Sequence, residues 1–319
     1  MKIIQTSVLL LTTLLVVPIF SYFFGVNPGP MEWMALRTLF VIVAVVVAYS
    51  FIVGELTGNN SQVDKLWSIV PIIYIWVIAA YGDFSPRLIL MGTLVTIWGI
   101  RLTMNFALKG AYQWRFWAGE EDYRWQVLRK KKEFSPRWKW SLFNLFFISG
   151  YQNILILLIT LPAIMALQNR HVPLGIADYM VAGLMLFFIT YETIADIQQW
   201  NYQTGKKMKA GAGEKLPGDY SKGFLDKGLW AYSRHPNYFA EQALWACFYL
   251  FSVTAGSYWL NWTIAGSLLL MVLFLGSSGF SEEISAGKYP AYKEYQKTVP
   301  RFLPFKRIGN LIIRFVQSS

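Results

Sequence analysis

The stretch Trp230 to Glu241 sets an arginine, a histidine, an asparagine and a glutamate at the mouth of the apolar run Ala243 to Val253. Polar side chains in such a place are costly to bury unless they bind a ligand or one another. Pro236 lacks a backbone donor and suits the first turn of a helix, so the spacing predicts a helix starting near Asn237. On that helix Asn237 and Glu241 are four apart and share a face, with Tyr238 beside them. Arg234 and His235 precede its N-terminus, whose free N–H groups favour an anion. A phosphate-bearing ligand with an amide or hydroxyl end would suit this arrangement. The plainer reading is a capped helix start with an arginine at the membrane edge.

Other polar groups interrupt apolar runs, where an ionisable side chain is a functional hypothesis in itself. Glu192, Asp196 and Gln199 stand at i, i+4 and i+7, on one face of a helix. Arg101 and Asn105 are likewise four apart. Asp64, with Gln62 and Trp67, opens another run, and Asn144, Gln152 and Asn153 add amides to a fifth. One polar pocket open to the cytosol accounts for all of these together; the alternative is a set of separate hydrogen bonds between helices. Glu120 to Arg124 forms a short charged cluster, which a solvated loop also explains. Glu282 and Glu283 close the last apolar run, and Tyr289, Tyr292 and Tyr295 follow at a spacing that reads as packing. Two histidines and one cysteine, Cys247, make neither a metal site nor an intrachain disulfide, so no metal is expected.

These groups must be carried by membrane helices. With 55% hydrophobic and 15% charged residues, the 319-residue chain is too apolar for an ordinary globular domain. Runs able to cross the hydrocarbon, or nearly so, cover 7–24, 34–56, 66–81, 87–108, 140–166, 175–200, 237–254 and 258–280, which predicts about eight spans in an all-α bundle. The third is short and contains Pro71. The first follows a single Lys and has no clean cleavage site, so it reads as a retained span. Lysines and arginines crowd into 109–139 and 201–235, which places both loops and both termini in the cytoplasm. Only Arg37, Arg87 and Arg170 of the 29 basic residues then fall near the outer side. The net charge of +11 therefore reports topology, and no nucleic-acid partner is expected. Tryptophans bracketing 109–139 predict an amphipathic helix along the interface, and the glycines of Lys206 to Lys222 predict a mobile loop. That loop carries neither a phosphate-loop nor a dinucleotide fingerprint, and no repeat favours a carrier.

Four motifs in order carry a resemblance: Gly119-Glu120-Glu121-Asp122-Tyr123-Arg124-Trp125; Ala195-Asp196-Ile197-Gln198-Gln199; Gly228-Leu229-Trp230-Ala231-Tyr232-Ser233-Arg234-His235-Pro236-Asn237-Tyr238-Phe239; and Pro290-Ala291-Tyr292-Lys293-Glu294-Tyr295, ending in Phe302-Leu303-Pro304. Together they resemble the steroid 5α-reductase family, nearest its bacterial members of unassigned substrate. The resemblance implies a monomeric reductase of the bacterial inner membrane. Residues 61–305 would be its body, 1–60 an N-terminal hairpin and 306–319 a short basic tail. It implies NADPH drawn from the cytosol and hydride delivered to the β-carbon of an electron-poor alkene in a steroid-like or isoprenoid lipid. The cofactor set it implies is Arg101, Asn105, Asp122, Tyr123, Arg124, Glu192, Asp196, Gln199, Tyr232, Arg234, His235, Asn237, Tyr238, Glu241 and Glu282. Arg101, Arg124 and Arg234 would face the phosphates, and Asn237, Asp196 and Glu241 the carboxamide and ribose hydroxyls. Two positions depart from the steroid-reducing members. Trp98 stands where they carry a tyrosine, and Gln62 with Asp64 is the nearest counterpart of their Gln-Glu pair, which leaves Asp64 as the candidate acid. Isoprenylcysteine carboxyl methyltransferases share the Arg-His-Pro-x-Tyr stretch and a later Glu-Glu pair, and an S-adenosylmethionine-dependent methyltransferase is the second reading. Asp122-Tyr123-Arg124 and the Asp196 motif lie outside that shared core and match the reductases.

Overall fold

The computed structural model describes residues 3–211 and 218–304. It is an all-α multi-pass membrane bundle with no strand among the described residues. Each apolar run becomes helical: α1 (Ile3–Ser21), α2 (Pro30–Thr57), α3 (Gln62–Leu66), α4 (Val70–Tyr81), α5 (Pro86–Leu108), α6 (Tyr123–Arg129), α7 (Arg137–Phe143), α8 (Gln152–Thr160), α9 (Pro162–Gln168), α10 (Ile176–Gly211), α11 (Pro236–Thr254), α12 (Ile264–Lys288) and α13 (Tyr292–Thr298). A π-helical segment, Asn144–Tyr151, joins α7 to α8. Among the described residues five helical stretches are long and apolar enough to cross a membrane: Pro30–Thr57, Pro86–Leu108, Arg137–Gln168, Ile176–Gly211 and Ile264–Lys288. Their outward faces stay apolar as well, with Val41, Val45, Met180 and Phe187 exposed, as a lipid-facing surface requires.

Proline placement explains several boundaries. Pro30, Pro71, Pro86 and Pro162 each sit in the first turn of a helix, where a missing donor costs nothing. The expected third span is accordingly divided into α3 and α4, and the 12 residues of α4 rise only about 18 Å, short of the hydrocarbon thickness.

Two expectations are corrected. Residues 201–211, expected as loop, are helical instead, because α10 runs on to Gly211. No proline interrupts Trp200–Met208, the helix tolerates the single glycine there, Gly205, and Lys209 lies in the last turn, where positive charge suits the helix dipole. Gly213, Lys215 and Pro217 of that loop, and the basic tail 306–319, lie outside the described residues. Residues 109–139 hold the 7-residue α6 and a 3-10 turn in place of one interfacial helix. Trp125 and Trp140 are buried there, while Trp114, Trp117 and Trp138 are exposed.

The chain divides into two units, Met1–Leu186 with Trp245–Leu273, and Phe187–Leu244 with Phe274–Ser319. In the first, α5 buries Leu88, Met91, Leu94, Val95 and Trp98, an i, i+3, i+4 stripe, in the same core as Tyr74, Ile75 and Ile78 of α4. Trp98 meets Trp245 edge to face at 5.0 Å. Arg87 and Asp178, both nearly inaccessible, form a bidentate pair in that unit, which Thr254 Oγ1 joins at 2.6 Å. In the second, Phe224, Tyr292 and Tyr295 form a small aromatic core, so the tyrosine stripe is packing.

Candidate functional site

The candidate residues fall into two sets, one in each unit. In the first unit, α3 is laced to the loop that precedes α6. Gln62 is fully buried, and its amide donates to the carbonyls of Asn59 (3.3 Å) and Trp117 (2.9 Å) while its oxygen accepts from Tyr49 (3.4 Å). Lys65 is fully buried too, and its ammonium donates to the carbonyls of Phe116 and Ala118. Burial holds Lys65 below the usual lysine range against the opposing charge of Asp64. Sequence reasoning passed over Lys65, although a charge beside Asp64 at the head of an apolar run was a signal. Gly119 makes this loop possible: its φ is +109°, and a Cβ there would lie 2.1 Å from the Ala111 carbonyl oxygen.

The Asp122-Tyr123-Arg124 motif is the start of α6. Asp122 caps the helix by accepting from the Arg124 backbone N–H at 2.9 Å, and its carboxylate also takes the Arg124 guanidinium in a fork at 2.8 and 2.9 Å. One residue on, Trp125 Nε1 donates to Asp64 Oδ2 at 2.8 Å, and Ser61 Oγ accepts from the Asp122 backbone at 2.9 Å. Two carboxyl groups are thus held in one network with opposite leanings. Burial raises the Asp64 pKa, and the negative charge of Asp122 raises it further. Burial would raise Asp122 as well, but the charge and hydrogen bonds of Arg124 outweigh it and hold Asp122 below the carboxylate range. The two carboxyl groups are thus pushed in opposite directions, Asp64 toward holding its proton and Asp122 toward the anion. Tyr123 is exposed, and Arg101 and Asn105 lie half-buried one turn apart on α5. Trp98 is fully buried against Trp245.

Asn144, Gln152 and Asn153 belong to the first unit in a network of their own. Asn144 and Ser141 donate to Glu55 at 2.8 and 2.7 Å, and Asn153 donates to Ser50 at 3.3 Å and to the Ser149 carbonyl at 2.8 Å.

In the second unit, the Arg-His-Pro stretch closes on Glu282. Arg234, expected to meet a phosphate, turns its guanidinium to Glu282 in a fork (2.7 and 3.2 Å) and to the carbonyls of Gln296 and Val299 at the end of α13. His235 Nε2 lies 3.0 Å from Glu282 Oε1, and Gln296 donates to Oε2 at 2.9 Å. Backbone bonds from Arg234 and His235 to the carbonyls of Pro300 and Arg301 complete a knot. Burial pushes the His235 pKa down, against the pull of Glu282, and the ring stacks on Tyr238 at 5.2 Å. Gln296 and the 299–301 carbonyls carried no sequence signal, since backbone acceptors are invisible in side-chain patterns.

One helix turn away from that knot in sequence, Asn237 Nδ2 donates to Asp196 Oδ1 at 3.2 Å, a side-chain hydrogen bond that joins α10 to α11. Glu192 and Glu241 are buried, and Gln199 Oε1 is a buried acceptor with no hydrogen-bond partner among the described residues. Gln198 accepts from the Leu229 N–H at 3.0 Å, and Trp230 Nε1 donates to the Ala195 carbonyl at 3.1 Å, which fixes the entry loop along α10. Tyr232 is exposed.

Residues 50–299 match the family described as "Protein of unknown function (DUF1295)". A relative from Schizosaccharomyces pombe (strain 972 / ATCC 24843), "Uncharacterized protein C594.04c", is 36% identical over 274 residues, covering 80% of this chain and 77% of that one. No solved structure matches the chain.

Proposed function

The chain belongs to the DUF1295 family, of the steroid 5α-reductase-like group, and we propose on that basis that it is an NADPH-dependent membrane reductase. Its substrate would be a lipophilic molecule with an electron-poor carbon–carbon double bond, steroid-like or isoprenoid. The observation that supports this reading is the buried Asp64 carboxyl group, held by Trp125 Nε1 beside the Arg124-paired Asp122. Saturating such a bond adds a hydride at the β-carbon and a proton at the α-carbon, so a reductase needs an acid that keeps its proton near neutral pH. Transfer of a methyl group to a carboxylate needs none.

The residues present fit the amide and ribose end of the cofactor. Gln199 Oε1 is a buried acceptor with no hydrogen-bond partner among the described residues, and Glu192 and Asp196 on the same stripe of α10, with Asn237 bonded to Asp196, are acceptors and donors suited to carboxamide and hydroxyl groups. When bound, NADPH supplies the hydride and leaves as NADP⁺. Asp196 and Asn237 would orient the carboxamide and ribose hydroxyls, and the apolar helices would exclude water. Asp64 would supply the proton, its carboxyl group held in place by Trp125 Nε1.

Purified protein should bind NADPH and consume its absorbance when an enone-containing lipid is supplied. Asp64→Asn should cut turnover at least about a hundredfold while NADPH still binds. Methyl transfer from labelled S-adenosylmethionine, with no NADPH binding, would replace this reading by the methyltransferase.

A further inference from the structure

The turn that leads into the apolar stretch Arg137–Gln168, in the first unit, carries positive charge that no acid answers. Lys130, Lys132, Arg137 and Lys139 are all exposed, and among the described residues none of them forms an ion pair with a carboxylate. The nearest acids in sequence are committed or withdrawn. Glu121 takes Arg129, Asp122 takes Arg124, and Glu133 is half-buried with no ion pair among the described residues. Local packing fixes the turn that bears these cations. Phe134 is buried against α7, its ring 5.4 Å from Trp140 and 4.8 Å from Phe143. Arg129, just before the turn, donates to the Gly58 carbonyl at 2.9 Å and to Asn60 Oδ1 at 2.7 Å, and lies 5.1 Å from the Trp140 ring. The start of a helix is the wrong end for a cation, so Arg137 and Lys139 do not serve the helix itself.

A second observation says what the charge is for. Along the same stretch Trp138, Leu142 and Phe146 follow at four-residue steps and are all exposed, while Trp140, Asn144 and Ile148 are buried. A tryptophan at the head of an apolar stripe belongs at the boundary of water and hydrocarbon, and the Lys139 ammonium lies 5.6 Å from the Trp138 ring. Cations, boundary aromatic and apolar stripe thus follow one another in the order of a phospholipid's headgroup, glycerol and chain. We propose that this turn is a binding site for an anionic phospholipid, whose phosphate meets Lys130, Lys132, Arg137 and Lys139 and whose acyl chain lies along Trp138, Leu142 and Phe146. A zwitterionic lipid offers the same chain, but its own ammonium cancels the charge, so the site selects by net charge. The site is independent of the reaction that the chain catalyses.

Native mass spectrometry of the full-length protein in detergent, titrated with phosphatidylglycerol and with phosphatidylcholine, tests this. One basic residue near an anionic lipid surface strengthens binding about fivefold, so phosphatidylglycerol should bind at least about fivefold more tightly than phosphatidylcholine. The preference should shrink as salt is raised. The double variants Lys130→Gln/Lys132→Gln and Arg137→Gln/Lys139→Gln should each bring phosphatidylglycerol down toward phosphatidylcholine and leave phosphatidylcholine unchanged. Trp138→Ala and Phe146→Ala should weaken both lipids alike. The control Lys207→Gln/Lys293→Gln, which removes the same charge from two exposed lysines of the second unit, should keep the preference. Melting temperatures compared with the parent's confirm that each variant is folded. Equal binding of the two lipids by the parent would overturn the proposal and leave the cations as topology signals only. An equal loss in the control would trace the preference to net charge and overturn it too. So would displacement of the lipid by inorganic phosphate at the same concentration, which would mark a site for free anions.

Discussion

Arg234 shows most plainly what a residue type can and cannot disclose. An arginine beside a histidine at a helix start invites a phosphate, yet the structure commits its guanidinium to Glu282 and to two carbonyls at the end of α13. The sequence marked the right residues, Arg234, His235 and Glu282, but their partners are nearly 50 positions apart, a separation that no local pattern reports. Removing one member of a buried pair strands the other's charge, so Arg234→Met should cost about 3–5 kcal/mol in denaturant unfolding. An arginine that only met a ligand would cost far less without that ligand. His235 gives the pH dependence of the same knot. Its folded pKa lies below the ordinary 6.5, so the native state binds fewer protons than the unfolded one through that window. Its contribution is therefore complete above about pH 6.5 and lost as pH falls from there through the depressed folded value. Melting temperatures between pH 5.5 and 7.5 should rise with pH, and the rise should be shallower in His235→Gln. An unchanged slope would mean that His235 is not held neutral.

At the scale of elements, the loop between α5 and α6 and the short α3 form one device. The charged cluster of residues 120–124 looked like solvated loop from composition. In the structure it is ordered by backbone contacts: Glu121 accepts from the Asn60 N–H at 2.8 Å and from Arg129 at 2.7 Å, and Gly119 turns where a side chain has no room. Gly119→Ala should therefore cost at least about 2 kcal/mol, from strained backbone and the clash with the Ala111 carbonyl. It should also loosen Trp125 from Asp64. Tryptophan fluorescence and melting temperature together check this: a normal melt with native emission would show that the turn tolerates a Cβ. The Arg87–Asp178 pair teaches the opposite lesson about position. Arg87 looked like a bystander near the outer side, yet it is almost fully buried. Arg87→Ala should destabilise by about 3–5 kcal/mol, so it cannot serve as an inert control in binding measurements.

For the molecule as a whole, helix class and the approximate helix positions were legible because apolar runs of membrane length leave few alternatives. Breaks were less so: Pro71 signalled the division of α3 from α4, but nothing local announced the π-helical turn at Asn144–Tyr151, where the buried Asn144 amide donates to Glu55 of α2. Orientation rests on charge alone. By that rule the basic residues of 109–139 and 206–227 make both stretches expected on the cytoplasmic side, and residues near Arg170 on the other. Cys247 is buried and is the single cysteine of the chain, so thiol labelling starts from a low background. Single cysteines at exposed Ser135, Ser221 and His171 then report the topology in cells. An impermeant maleimide should label His171→Cys in intact cells, and Ser135→Cys and Ser221→Cys only after the membrane is opened. Labelling of Ser221→Cys from outside would place the α10–α11 connection, with its lysines and tyrosines, out of reach of a cytosolic dinucleotide, and the cofactor reading would fall with it.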